Sequence, residues 1–257
     1  MNFDQDFDFR QFYKERDQHY WTKIAELVKD RQMDLEFVLR NYMAFIQRRD
    51  LPQLLTYYEL LKLVKQLPGS IAEVGVFVGN GLFTWTKLLE TFYPGNRGKK
   101  VFGFDNFAGY DAGAQKVDKS AIAYIKDLVG DFTIDAGFVH QLVELHNLDG
   151  ILPGVERVKV YDGELDHTIA AFKNEDQGVR LKLLLVDVNL YEPTKKALNE
   201  FYDLLVPGGI IALRGYGVKP WEGEGVAVDE FLKERDVGKL QSFEFSMFPS
   251  VYFRKIS

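Results

Sequence analysis

The sequence predicts a doubly wound α/β fold, a mainly parallel sheet with helices on both faces, and three observations carry that prediction. From Ser70 onward, short apolar runs alternate with stretches of helical periodicity, the pattern of repeated βα units. The first run passes through a glycine-rich loop into a helical pattern, as the opening turn of such sheets does. Before it, residues 7–66 carry no clear strand signal and place apolar side chains at helical intervals.

In chain order, Ile24, Leu27 and Val28, then Leu54, Leu55, Tyr58, Leu60, Leu61, Leu63 and Val64, mark two or three helices of an N-terminal cap, residues 1–66. Leu67-Pro68-Gly69 ends the last of them, because proline lacks the N–H that a helix interior needs. The aromatic start (Phe3, Phe7, Phe9, Phe12, Tyr13, Tyr20, Trp21) reads as packing for this cap, with a lid or a homodimer contact as the other reading. The main domain, 67–257, then takes strands from the runs 71–76, 100–104, 157–161, 181–186 and 209–213. Residues 106–150 are long for a connection between neighbouring strands and show helical patterning at 121–129 and 138–148, so they read as an inserted helical lid. Pro207-Gly208-Gly209 stops the helix that carries Ala197, Leu198, Phe201, Leu204 and Leu205. Segments 243–247 and 251–256, on either side of Pro249-Ser250, read as a C-terminal antiparallel hairpin.

Composition narrows the functions. The 257 residues, 46% of them hydrophobic, suffice for one sizeable core. A net charge of −6 offers no general attraction to nucleic acid or an anionic membrane, which leaves a small molecule as the expected partner. With no cysteine there is neither a disulfide, a thiolate metal site nor a cysteine nucleophile. The start Met-Asn-Phe-Asp-Gln-Asp-Phe-Asp is acidic, and no apolar run approaches the roughly 20 residues of a membrane span. A soluble cytoplasmic protein is the expectation.

The stretch Ile71-Ala-Glu-Val-Gly-Val-Phe-Val-Gly-Asn-Gly81 carries the most chemistry. Gly75, Gly79 and Gly81 let a ligand approach backbone at a helix N-terminus, where free N–H groups and the helix dipole await, so Glu73, Gly75, Val76, Gly79 and Gly81 are candidate cofactor-binding residues. An ordinary glycine-rich turn is the plainer reading. The spacing E-x-G-x-x-x-G-x-G departs from the G-x-G-x-x-G of dinucleotide enzymes, which disfavours a nicotinamide oxidoreductase, and resembles motif I of the class I S-adenosylmethionine methyltransferases. Asp105, with Asn106 and Phe107 behind it, ends the second run where an acid can take both hydroxyls of a ribose, or simply make a turn. Asp162 and Gly163 end the third run, beside the adenine in methyltransferase-like folds or as a helix cap.

Three further segments, Leu184-Leu-Val-Asp187-Val-Asn189-Leu-Tyr191-Glu-Pro-Thr194, Ile210-Ile-Ala-Leu-Arg214-Gly215-Tyr216-Gly217 and Ala227-Val-Asp-Glu-Phe231, make a more specific likeness. From about residue 60 to 231 the chain resembles the macrocin-type sugar O-methyltransferases of macrolide and aminocoumarin antibiotic biosynthesis. The resemblance implies a Rossmann-like class I methyltransferase fold, S-adenosylmethionine as cofactor, and O-methylation of a small polar, sugar-derived or anionic acceptor. Methyl transfer to a hydroxyl also needs a base and groups that hold the acceptor, and the residue types at these strand ends suggest candidates. Asp187 borders the cofactor and is the candidate base; Arg214 and Tyr216 join it as catalytic candidates, and Asn189, Tyr191, Arg214 and, from the insert, His140 are candidates for holding the acceptor.

One departure matters. Family members carry Asp-Gly-Asp at the fourth strand and Asp-Asp at the fifth, and those carboxylates hold magnesium beside the sugar hydroxyl. Here the set is Asp187, Asn189, Arg214 and Gly215. Magnesium wants hard, preferably anionic oxygens, so no metal is expected. The Arg214 guanidinium then either clamps a carboxylate or phosphate of the acceptor or pairs with Asp187 to fill the vacated place. N-methylation, and a non-catalytic relative that binds the cofactor as a structural or regulatory partner, are the alternatives.

Overall fold

The computed structural model describes residues 9–110, 115–129 and 134–256. They fall into two compact units, one up to Asp50 and one from Leu51. In the first, helix α1 (Phe9–Asp30) is followed by α2 (Leu35–Arg40) and a short 3-10 turn, Tyr42–Ala44. The Asp34 carboxylate caps α2 by accepting from the Phe37 amide at 2.6 Å. The Tyr20 hydroxyl donates to the carbonyls of Phe45 and Ile46, folding the turn back onto α1. Of the aromatic start, Phe3 and Phe7 lie outside the described residues, as do the side chains of Phe9 and Phe12; Tyr20 and Trp21 meet edge to face at 5.3 Å.

Helix α3 (Asp50–Leu63), expected in the cap, packs from Leu51 onward with the second compact unit. Its periodicity suits a cap, yet Tyr57, Leu60, Leu61 and, just beyond it, Val64 are buried in the same core as Ile71 and Leu183. The stripe went where it could lose the most water-exposed apolar area. The sheet contains β1 (Ser70–Val74), β2 (Val101–Asp105), β3 (Val158–Asp162), β4 (Leu181–Val186), β5 (Leu205–Leu213) and β6 (Val251–Arg254) in the order β3-β2-β1-β4-β5-β6. All pairs are parallel except β5 with β6. One face packs on α3, α4 (Asn80–Phe92) and α6 (Ala136–Leu148), the other on α7 (Leu165–Glu175), α8 (Tyr191–Tyr202) and α9 (Glu222–Glu234). Because β2 and β4 lie on opposite sides of β1, a crevice opens above the carboxyl ends of the three, where such sheets bind ligands.

The insert is only partly what its pattern implied. Its second helix, α6, buries Val139 and Val143 in the core beside β3 and α4. Its first, α5 (Lys119–Val129), follows a 3-10 turn, Lys116–Asp118, and packs against α9; residues 111–114 and 130–133 lie outside the described chain. Strand β5 starts at Leu205, before Pro207, where the glycine-rich stop was read. Leu181 pairs with Leu205 but Leu183 with Ile210, so Val206–Gly209 bulges out, and proline is tolerated at a bulge. The antiparallel closure at the C-terminus is β6 against β5. Residues 243–247 form no strand: the Ser246 amide donates to Phe243 O in a turn, and pairing with β6 shrinks to the bridge Gln241↔Tyr252. No described helix is long and apolar enough to cross a membrane.

One charge inside β4 has a measurable consequence. Lys182 is fully buried, its Nζ donating to the Tyr93 hydroxyl at 2.8 Å. Burial, with Lys99 adding repulsion, lowers its pKa from 10.5 to about 7. Between those two values the unfolded chain binds more protons, so stability climbs with pH across that window and is poorest below it. Lys182→Met should therefore stabilise the fold by on the order of 1–4 kcal/mol at pH about 6, and by less at pH about 9. Thermal melts at both pH values check this; an equal change at the two overturns it.

Candidate active site

The loop after β1 is shaped by close backbone contact. Gly75 has φ +95°, and a Cβ there would stand 2.2 Å from the Asp187 carbonyl oxygen, so only glycine lets β1 and β4 leave the sheet side by side. Asp187 N–H donates to Val74 O at 2.7 Å, tying the end of β4 to β1, and Gly75 N–H donates to Phe104 O at 2.8 Å, tying β1 to β2. Gly79, at φ +91°, opens α4 and brings no side chain to cap it. Beneath lies the carboxyl of Glu73, 2% exposed, in the space left by the missing side chain of Gly81. Burial pushes its pKa well above the usual carboxylate range, Asp187 adds to the rise, and Arg214 opposes it. A carboxyl pushed toward its neutral form thus floors the loop.

Asp105 stands at the lip. Its Oδ2 accepts from the amides of Val76 (2.7 Å) and Phe77 (2.8 Å), and its Oδ1 from Phe107 (2.8 Å). Phe77 and Phe107 both hold left-handed backbone, at φ 51° and 50°, which is costly for bulky residues. One carboxylate therefore stitches two strained loops together and keeps about one of its four lone-pair sites for a ligand. Next along the edge, the Gly163 amide donates to Asp105 O, and Asn106 Nδ2 donates to Glu164. Asp162 is half-exposed, with His140 Nε2 3.3 Å from it. His140 is thus at the tip of β3 beside the proposed adenine acid, and not with Asp187, where an acceptor base belongs.

At the ends of β4 and β5, Asp187 Oδ2 and Arg214 Nη1 are 3.2 Å apart. Burial raises the Asp187 pKa; Arg214 and then Asn189 pull it down, and Asp105 pushes it up. Burial is the largest influence on Arg214 and works against its charge, but Asp187, Tyr57, Tyr110 and Glu224 together overcome it and raise the pKa; the guanidinium lies 4.6 Å from the centre of the Phe248 ring. Asn189 has φ 61° and 5% exposure; its Nδ2 faces Asp187 Oδ1 at 3.4 Å, and its Oδ1 has no partner among the described residues.

The two tyrosines of the motif point elsewhere. The Tyr191 hydroxyl donates to Glu230 and accepts from Lys195, on the outer faces of α8 and α9. That of Tyr216 donates to Asp229 at 2.7 Å. In their place stand residues that motif reading passed over. Tyr57, from α3, is buried close to Glu73, Asp187 and Arg214, and accepts from Gln53 at 2.8 Å. Tyr110 lies near Asp187 and Asp105, its pKa raised to about 12 by burial and by those two acids. Glu224, fully buried in the first turn of α9, accepts from the Gly215 amide at 2.8 Å; burial lifts its pKa to about 8, and its Oε2 is unpartnered. One local signal existed for it, an acid set between two glycines at a helix start, Gly223-Glu224-Gly225.

The donor set does not fit a magnesium ion. Both oxygens of Asp187 face N–H groups, of Asn189 and Arg214; residue 215 has no side chain; and a guanidinium occupies the space a divalent cation would need. The chemistry of this edge is compatible with S-adenosylmethionine: the carboxylates of Asp105 and Asp187 stand at the carboxyl ends of β2 and β4, on either side of β1 and the glycine loop that follows it.

Comparison with known proteins agrees with this geometry. Residues 6–255 match the model of the macrocin O-methyltransferase (TylF) family. Among solved structures, the calicheamicin methyltransferase CalS11 superposes with a TM-score of 0.81 at 23% identity, covering 99% of both chains. The O-methyltransferase NovP gives 0.60 at 20% identity over 78% of this chain and 79% of its own. An O-methyltransferase from Bacillus cereus with bound S-adenosylhomocysteine gives 0.51 at 16%, over 92% and 99%. At these identities the likeness shows a shared class I methyltransferase fold. A search of curated proteins found no match.

Proposed function

The chain belongs to the macrocin O-methyltransferase family, and from that premise we propose that it uses S-adenosylmethionine to methylate a hydroxyl of a small, polar, sugar-derived acceptor without a metal ion. The observation that carries this reading is the Asp187–Arg214 pair, 3.2 Å apart, at two of the sequence positions where the resemblance implies metal-binding carboxylates. When bound, S-adenosylmethionine supplies an electrophilic methyl group on a sulfonium. The chain's part is to orient the acceptor, exclude water and take the hydroxyl proton.

Asp187 is the group placed to accept that proton, its raised pKa suiting it to the task. Arg214 supplies the fixed positive charge that steadies a developing alkoxide. Since Arg214 is already committed to Asp187, an anionic acceptor would have to compete for it, which favours a neutral hydroxyl over a carboxylate or phosphate at this point.

The test follows methyl transfer to TDP-rhamnose, the substrate named for CalS11, and to a panel of methyl glycosides. The expected rate is unchanged within about twofold by EDTA or by added magnesium, because no step needs a Lewis acid. A rate abolished by EDTA and restored by magnesium removes the metal-free reading; no transfer to any sugar removes the acceptor class.

A further inference from the structure

We propose that Trp221, with Tyr124 set against it, is the platform on which the acceptor's ring stacks, and so a specificity-determining residue of this site. The inference rests on the reading of the acceptor as sugar-derived. Trp221 immediately precedes α9 and Tyr124 stands on α5, two elements far apart in sequence. Their rings meet edge to face, 5.6 Å between centres and 88° between planes. Tyr124 is 41% exposed and Trp221 partly so, which leaves aromatic surface for a ligand.

What places this pair at the reaction is residue 215. A Cβ on Gly215 would lie 2.5 Å from Trp221 Cδ1, so the indole rests directly on the backbone that follows Arg214. Any side chain here would collide with it. By strand alternation, Arg214 leaves β5 toward the face of Ile210 and Ala212, and residue 215 toward that of Ile211 and Leu213. The carboxyl end of β5 is therefore flanked by Arg214 over Phe248 on one side and the Trp221 indole on the other.

The platform is braced. Ser120 on α5 donates to Glu222 on α9 at 2.8 Å. Asp118, fully buried, accepts from the amides of Tyr191 (3.0 Å) and Gln115 (2.8 Å), pinning the start of α5 to the start of α8. Such bracing fixes an aromatic face at little entropic cost, and the apolar C–H face of a pyranose suits it better than a charged group does.

The test compares Trp221→Ala, Trp221→Phe and Tyr124→Ala with the wild type, using whichever sugar the wild type methylates. Trp221→Ala should raise the acceptor KM by about tenfold or more, a loss of about 1.4 kcal/mol. Its kcat at saturation and its Kd for S-adenosylhomocysteine should stay near wild type, and Trp221→Phe should recover most of the loss. Should Trp221→Ala fail to fold, Tyr124→Ala carries the same expectation in smaller measure. Acceptor binding should also quench Trp fluorescence in the wild type and not in Trp221→Phe. An unchanged KM in correctly folded Trp221→Ala and Tyr124→Ala overturns the platform while leaving the enzyme a sugar methyltransferase. A wild type that methylates no sugar overturns the reading beneath it, and the platform with it.

Discussion

Asp187→Asn should lower kcat by about 10²–10⁴-fold, the usual contribution of a positioned general base, while the Kd for S-adenosylhomocysteine stays within a few-fold of wild type. The amide keeps the shape of the carboxylate and the backbone bond from Asp187 N–H to Val74 O, but it cannot take a proton. Burial raises the Asp187 pKa, so the acid limb of the kcat/KM profile should lie above the ordinary carboxylate range and disappear in the variant. The rate should rise with pH through that limb, since the deprotonated form acts. The substitution also strips Arg214 of its partner, and an uncompensated, largely buried guanidinium lowers stability. Activity must accordingly be counted per folded molecule, with calorimetric titration of S-adenosylhomocysteine as the measure of folded sites. A folded variant within threefold of the wild-type rate removes Asp187 from the role and leaves the proton to water or to Tyr110.

The parts of this architecture that were legible in the sequence are those fixed by short-range physics. β4 is a continuous apolar run apart from Lys182, and its bounds, Leu181–Val186, coincide with the run read from the sequence. The carboxyl-edge acids Asp105, Asp162 and Asp187 follow directly from where such runs end. What periodicity could not supply is the destination of a helical face. Leu55 and Leu63 fit the stripe of α3 as well as Leu60 and Leu61 do, yet the first two are exposed and the last two buried. The same limit hides the rotation of Tyr191 and Tyr216 onto Glu230 and Asp229. Tyr57, Tyr110 and Glu224 come to Asp187 from segments far along the chain in either direction, and no local pattern announces such convergence. β5 was missed at its start because Pro207-Gly208 signals a stop unless the partner strand is known to tolerate a bulge there.

Removal of Asp105 should have the largest effect on the cofactor. Asp105→Ala takes away one acceptor for the ribose and, at the same time, the partner of three amides in two loops of left-handed backbone. A hydrogen bond to a charged group is worth about 1.5–3 kcal/mol, so loss of the one ribose bond the carboxylate has room for raises the Kd for S-adenosylhomocysteine by about 10–10²-fold, and loosening of the two loops adds to it. Two causes are folded into that number, and a cycle separates them. The ligands are S-adenosylhomocysteine and its 2′,3′-dideoxyribose analogue; the proteins are the wild type and Asp105→Ala. If the carboxylate reads the sugar, the wild type discriminates between the two ligands and the variant does not. If it serves only to hold Val76, Phe77 and Phe107, both ligands lose the same factor. Discrimination retained in the variant would show that the hydroxyls are held elsewhere. Because Phe77 and Phe107 sit at costly φ values, the loops should relax once the carboxylate is gone. Asp105→Ala should then show faster backbone amide exchange over residues 75–79 and 106–109, and loss of affinity without that loosening would place the whole effect on the ribose.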